Sequence, residues 1–324
     1  MTDRSWILRN RNVLLHSLLT SFTALTLSSC ISTQKPPIVP LNAIDPKLTE
    51  LGFSPLVYVG RSSQMSISPA EAGPITLFFV GSDRIEHSHP QIRAYAVDAA
   101  KDQRVTFQLG ENSSPIYRDE QSIFYLSNTD EIKEQIFAEA SEPGNELYSH
   151  NLFSHRIDRL TYLPGPTGPF TVDSNQAVFF VQKMGQSHQL YEIKKDHYSF
   201  KKLIANLPNP QSWIGFRDHQ LYLLGIDGHQ FSVLDGNQLK PVKSFPTVVF
   251  FPVAFEKGWI LSIPRANTVS RELVYWVPES DCMESLYSNP DLSFEEVQIA
   301  QDKAFYVVDG KIFTGPKPVT RKCK

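Results

Sequence analysis

Leu77-Phe78-Phe79-Val80 decides the fold, because the chain goes on to echo it five more times. Similar short apolar runs stand at Ile123-Phe124-Tyr125-Leu126, Val178-Phe179-Phe180-Val181, Leu221-Tyr222-Leu223-Leu224, Trp259-Ile260-Leu261 and Phe305-Tyr306-Val307-Val308. Anchored on Phe78, Phe124, Phe179, Tyr222, Ile260 and Phe305, they recur after 46, 55, 43, 38 and 45 residues. Such runs suit strands better than helices. A period in the forties built from them marks a propeller blade, a unit that buries its faces only by stacking on neighbours. The expected architecture is all-β, a six-bladed β-propeller.

Each core has strand-like neighbours. A first strand precedes it, as in Met65-Ser66-Ile67, Pro169-Phe170-Thr171-Val172, Trp213-Ile214-Gly215-Phe216 and Val297-Gln298-Ile299-Ala300, and would line the central channel. Polar turns such as Asp173-Ser174 and Glu256-Lys257-Gly258 separate the two, as hairpins require. A third strand follows (Ile92-Arg93-Ala94-Tyr95-Ala96-Val97, Glu146-Leu147-Tyr148, Gln189-Leu190-Tyr191-Glu192-Ile193), then an outer one at Arg104-Val105-Thr106-Phe107, Ile157-Asp158-Arg159-Leu160-Thr161 and Lys202-Leu203-Ile204. Leu56-Val57-Tyr58-Val59 has no blade of its own, so it is expected to complete the last blade, with Lys317 to Arg321 as its competitor.

The stretch Pro143-Gly144-Asn145-Glu146-Leu147-Tyr148, Arg159-Leu160-Thr161, Gly168-Pro169-Phe170-Thr171-Val172-Asp173 and Ala177-Val178-Phe179-Phe180 resembles the TolB-type, WD40-like propeller repeat. The likeness is best over blades two and three and extends over about residues 60–320 as periodicity. It implies the propeller fold. Too few residues lie between Cys30 and the first blade for the α/β domain that precedes the propeller in TolB, so it does not carry TolB's function with it.

Residues 1–29 read as a lipoprotein signal peptide: Arg4, Arg9 and Arg11, then an uncharged run from Val13 to Leu27, too short to span a bilayer comfortably. Leu27-Ser28-Ser29-Cys30 resembles the bacterial lipobox, which implies cleavage before Cys30 and diacylation (palmitate) of that cysteine. Two acyl chains anchor stably where one does not. Ile31, rather than Asp, after the cysteine implies an outer-membrane lipoprotein facing the periplasm or exposed at the surface. Residues 30–50 would be the lipidated cysteine and a flexible, proline-stiffened linker, and 51–324 the propeller. The full chain carries a net charge of −3 and the mature protein near −5, which argues against nucleic acid.

Once Cys30 is acylated, Cys282 and Cys323 are the remaining thiols, and in an oxidising envelope they are expected to pair. Catalytic residues are not evident: the chain has no nucleophile elbow, P-loop, dinucleotide fingerprint or zinc-protease helix. His87 and His89 have chelate spacing but no third ligand nearby, so no metal or other cofactor is expected. His150 and His155, five apart, match neither helical nor strand pairing. Asp119, Asp173, Asp218 and Asp302 fall where turns need them.

Loop length is the informative irregularity. The connection from second to third strand is long in blade one (Gly81 to Gln91) and longest in blade two (Ser127 to Asn145). The blade-two insert, Asp130 to Ala140, has helix formers, a possible cap at Asn128 or Asp130, and an apolar stripe of Ile132, Ile136 and Phe137. A short helical insert is therefore expected there. Long excursions from a compact scaffold are usually functional or disordered, and the functional reading nominates Arg84, His87, His89, Glu131, Glu134, Ile136 and Phe137 as a partner-binding rim. The resulting reading is a lipid-anchored envelope propeller acting as a non-catalytic scaffold for another envelope protein. The alternative is a glycosidase- or lactonase-type enzyme with its site at the channel mouth. Three or more converging Asp, Glu or His side chains would favour the enzyme; a bare channel with an apolar patch beside the blade-two helix would favour the scaffold.

Overall fold

Leu77, Phe78, Phe79 and Val80 are all buried, and successive side chains enter two different cores. Leu77 and Phe79 pack with Phe305, Val307 and Ile312 on one side; Phe78 and Val80 pack with Ile123, Tyr125 and Tyr148 on the other. A strand that is covered on both faces needs apolar residues at consecutive positions, which is why these runs do not alternate. The computed structural model describes residues 45–58, 64–68, 74–81, 89–108, 110–119, 122–129, 144–162, 167–195, 200–300 and 302–323.

A helical turn, α1 (Pro46–Glu50), precedes β1 (Ser54–Tyr58). Blade one is β2 (Met65–Ile67), β3 (Thr76–Gly81), β4 (Gln91–Ala96) and β5 (Lys101–Arg104). Blade two is β6 (Asn112–Asp119), β7 (Ser122–Ser127), β8 (Glu146–Asn151) and β9 (Ile157–Arg159). Blade three is β10 (Thr167–Val172), β11 (Val178–Met184), β12 (Ser187–Ile193) and β13 (Lys201–Leu207). Blade four is β14 (Gln211–Arg217), β15 (Gln220–Gly225), β16 (Gln230–Asp235) and β17 (Gln238–Ser244). Blade five is β18 (Phe250–Phe255), β19 (Gly258–Pro264), β20 (Arg271–Val277) and β21 (Cys282–Tyr287). Blade six is β22 (Phe294–Ala300), β23 (Lys303–Val308) and β24 (Lys311–Gly315), with β1 as its fourth strand. All pairings are antiparallel. Each innermost strand (β2, β6, β10, β14, β18, β22) contacts the next, and β22 contacts β2, which closes the ring.

The apolar side chains form six clusters, one at each interface between neighbouring blades. The interface of blades four and five is the most aromatic, with Trp259 edge-on to Trp213 (ring centroids 5.6 Å apart) and Phe245 edge-on to Trp276 (5.0 Å).

The arginine-leucine-threonine signature has a mechanical meaning. In blade two the Thr161 hydroxyl accepts the Leu147 N–H (2.8 Å) and the Thr167 hydroxyl (3.0 Å), and donates to Glu146. Arg159 pairs with Glu146 (3.3 Å) and donates through Nε to the Thr161 carbonyl (2.9 Å). Thr161 thus ties the third strand to the first strand of the next blade. Blade one repeats the device: Thr106 accepts the Ile92 N–H (2.9 Å) and donates to Gln91 (3.0 Å), which accepts from Asn112 of blade two (3.1 Å).

The chain ends are fixed in different ways. β1 pairs with β24, Ser54 opposite Thr314 and Tyr58 opposite Lys311, covering the edge the last blade would otherwise expose. Residues 316–323, the rival for that place, form no strand. They cross instead to blade five, where Glu284 accepts the N–H groups of Arg321 (3.0 Å) and Lys322 (2.8 Å). Cys323 is disulfide-bonded to Cys282, with 5.6 Å between Cα atoms. Residues 46–50, which the sequence reading gives to the linker, form α1; the Asp45 side chain accepts the Lys47 N–H (2.9 Å), and Leu48 is buried in the blade five–six core. The expected helical insert of blade two, 130–143, lies outside the described residues, as do 1–44.

Candidate functional site

Inner strands carry the site because they alone reach the propeller axis. A cavity of about 420 Å³ lies there, lined by all six of them or the residues beside them, among them Met65, Ile116, Phe170, Trp213, Phe250 and Glu296. Five of the six inner strands break register near their start, between Ser113 and Ile116, Thr167 and Phe170, Gln211 and Trp213, Phe250 and Val253, and Phe294 and Glu296. Bulges of this kind re-aim side chains and recur beside functional sites. Two hold non-glycine residues in the left-handed region, Ser114 at φ 52° and Phe251 at φ 45°, a costly conformation for a bulky side chain. Ser114 is held in place by Gln64, whose Oε1 accepts its hydroxyl (3.2 Å) and its N–H.

Aromatic and aliphatic side chains make up most of the wall. Gly215 is required because a Cβ there would stand 2.3 Å from the Trp213 ring, which folds back along its own strand. Arg271 lies over the Phe250 ring, 3.9 Å from its centroid.

Among the described residues of this wall, which also include Gln64, Ser114, Thr171, Ser212 and Gln298, Glu296 is the ionisable one. It is 4% exposed, and its Oε1 accepts from the Met65 N–H (3.3 Å) and from Gln298 Nε2 (3.0 Å), bridging blades six and one. Oε2 has no hydrogen-bond partner. Burial pushes its pKa up to about 8, against the two hydrogen bonds that favour the ionised form. Near neutral pH the group is a carboxylic acid. Its proton belongs on Oε2, since Oε1 already accepts twice, and so the channel holds an O–H donor waiting for an acceptor.

Glu296 is absent from the candidates the sequence nominates. It stands one residue before the inner strand read there as Val297 to Ala300, in a stretch that looks like an ordinary polar strand start. Strand alternation puts it on the same face as Gln298, the only signal that was available. Of the nominated residues, His89 is exposed, while Cys30, Arg84, His87, Glu131, Glu134, Ile136 and Phe137 lie outside the described residues. The roots of their loops are described. Phe79 pairs with Met65 and Ser127 with Asn112, so the loops after Gly81 and Ser127 leave from the face on which Gln64 and Ser114 reach the channel. Asp173 serves its turn by accepting the Ala177 N–H (2.7 Å), and Asp218 turns its hairpin at φ 50°. Among the described residues, no three or more His, Cys, Asp or Glu side chains cluster so as to hold a metal ion.

No protein-family profile matches the chain, and no curated protein sequence matches it. Solved structures do match, at low identity. TolB from Acinetobacter baumannii superposes with a TM-score of 0.53 and 13% identity over 82% of this chain and 64% of its own. A gluconolactonase-type propeller gives a TM-score of 0.58 and 7% identity over 85% and 98%. Tricorn protease gives 0.56 and 13% over 81% of this chain, which spans only 25% of the protease. At these identities the likeness is one of fold: a six-bladed propeller, with neighbours among both binding proteins and enzymes.

Proposed function

We propose that this chain is a non-catalytic, lipid-anchored envelope propeller that binds a segment of another envelope protein at the mouth of its central channel. The observation that carries the reading is the channel itself: a largely apolar, six-sided wall around one un-ionised carboxyl whose Oε2 lacks an acceptor. A polypeptide supplies what that site lacks, with apolar side chains for the wall and a backbone carbonyl for the Glu296 proton. The long blade-one and blade-two connections leave from the same face and would form the outer rim of the contact. Cys30 would supply the anchor.

The test is capture from native envelopes with wild type and Thr171→Arg, which places a bulky cation at a half-buried channel position of β10. The variant should fold normally and lose the captured partner, and Cys30→Ala should release the protein from membranes. Undiminished capture by a folded Thr171→Arg protein would overturn the channel as the binding site. The lactonase alternative rests on the gluconolactonase-type neighbour and on an acid poised near neutral pH. Turnover of an aldonolactone that disappears in Glu296→Gln would establish it instead.

A further inference from the structure

We propose that the groove between blades one and two, away from the channel, is a binding site for a small amphiphilic monocarboxylate, with its carboxylate at His150 and its apolar part against Phe78, Leu152 and Ile157. The groove encloses about 900 Å³, within the range of small-molecule sites. It opens at the strand ends opposite the channel face, since Thr76 begins β3, and His150, next to the end of β8, pairs with Ile123 near the start of β7. Phe78 and Tyr117 stack across it with ring centroids 5.5 Å apart. Phe107 stands at its edge, 73% exposed, under the Arg104 guanidinium.

His150 is the second, independent feature. Its side chain follows Glu146 and Tyr148 along the face of β8 that looks toward blade one, and it is 4% exposed. Neither ring nitrogen has a hydrogen-bond partner. A buried imidazole with two unmet nitrogens carries a desolvation cost that a ligand atom removes. The sign of that ligand follows from the lining. Among the described residues, Arg104, His150 and His155 line the groove and no Asp or Glu does, in a chain of net charge −3. The ring of His155 lies 6.2 Å from that of His150.

Burial, and secondarily His155, hold His150 below the ordinary histidine range, so its imidazole is neutral in the empty site. A carboxylate at a ring nitrogen reverses this by favouring the imidazolium. Binding therefore takes up one proton near neutral pH and tightens as pH falls toward the usual histidine range. Among the described residues, the charged or titratable groups sharing the cavity with His150 are His155 from the turn after its strand, Arg104 from β5 and Tyr117 from β6.

Calorimetry on the full chain, with 4-phenylbutyrate, 4-phenylbutanol and 4-phenylbutylamine as probes in buffers of different ionisation enthalpy, tests this. The acid should bind at least tenfold tighter than the alcohol or the amine, with uptake of about one proton. His150→Phe should abolish the proton uptake and weaken the acid about tenfold. Ile157→Asp, at an exposed position that puts no fold at risk, should weaken the acid similarly and favour the amine. Equal binding of acid and alcohol, acid binding unaffected by Ile157→Asp in a protein that melts normally, or no saturable binding of the acid to wild type would each overturn the site.

Discussion

At the scale of single residues, Glu296 joins structure to function through its proton. The native group titrates near pH 8, whereas the same carboxyl in an unfolded chain titrates near 4.5. Between those values the native state holds a proton that the unfolded state has lost, so stability falls as pH rises from about 4.5 to about 8. Glu296→Gln keeps the shape and the donor while removing the titration. Its melting temperature should match that of wild type near pH 4.5 and exceed it at pH 8, by up to a few kcal/mol in stability. A variant that tracks wild type across that range would show the carboxyl to be ionised in the native protein. The same residue marks a limit of sequence reading. The second glutamate of Phe294-Glu295-Glu296 carries no motif, and only the closing of blade six against blade one strips its water away.

At the scale of elements, the repeat signature was readable as a pattern before it was readable as a mechanism. Arg159-Leu160-Thr161 and Arg104-Val105-Thr106, read as outer strands, begin where β9 and β5 end, and the folded protein gives the reason: Thr161 connects the third strand directly to the chain entering the next blade, and Thr106 does so through Gln91. The C-terminal tail was less legible, because eight polar and proline-bearing residues suit an edge strand as well as a strap. Blade five decides between them by offering the Glu284 carboxylate and Cys282. The loop closed by Cys282 and Cys323 spans 41 residues, for which loop-closure entropy gives about 4 kcal/mol. Cys323→Ser should therefore unfold at a clearly lower denaturant concentration than oxidised wild type, and reducing the wild type should bring it to the same point. Coincident unfolding of all three would mean that the tail contributes through its hydrogen bonds alone.

At the scale of the whole molecule, β1 is the piece on which closure depends. It belongs to blade six although it enters the chain before blade one, so folding must bring residues 54–58 to 311–314, the longest sequence separation of any strand pairing among the described residues. Breaking it should cost more than a surface edge does. Val57→Asp, on the β1 face packed with the blade one–six core, should lower the melting temperature and expose the β24 edge to self-association, visible as concentration-dependent aggregation. If the variant melts like wild type and stays monodisperse, the tail strap suffices to close the ring.

The sequence alone determined the number of blades and the core strand of each, because a strand buried on both faces writes its burial directly as consecutive apolar residues. It also set apart the long connections of blades one and two. The tertiary structure alone decided the contents of the two cavities. The protonated Glu296 and the unpartnered His150 arise where strands from different blades meet, and the environment of a side chain at such a meeting is set by residues tens to hundreds of positions away, which no local spacing encodes.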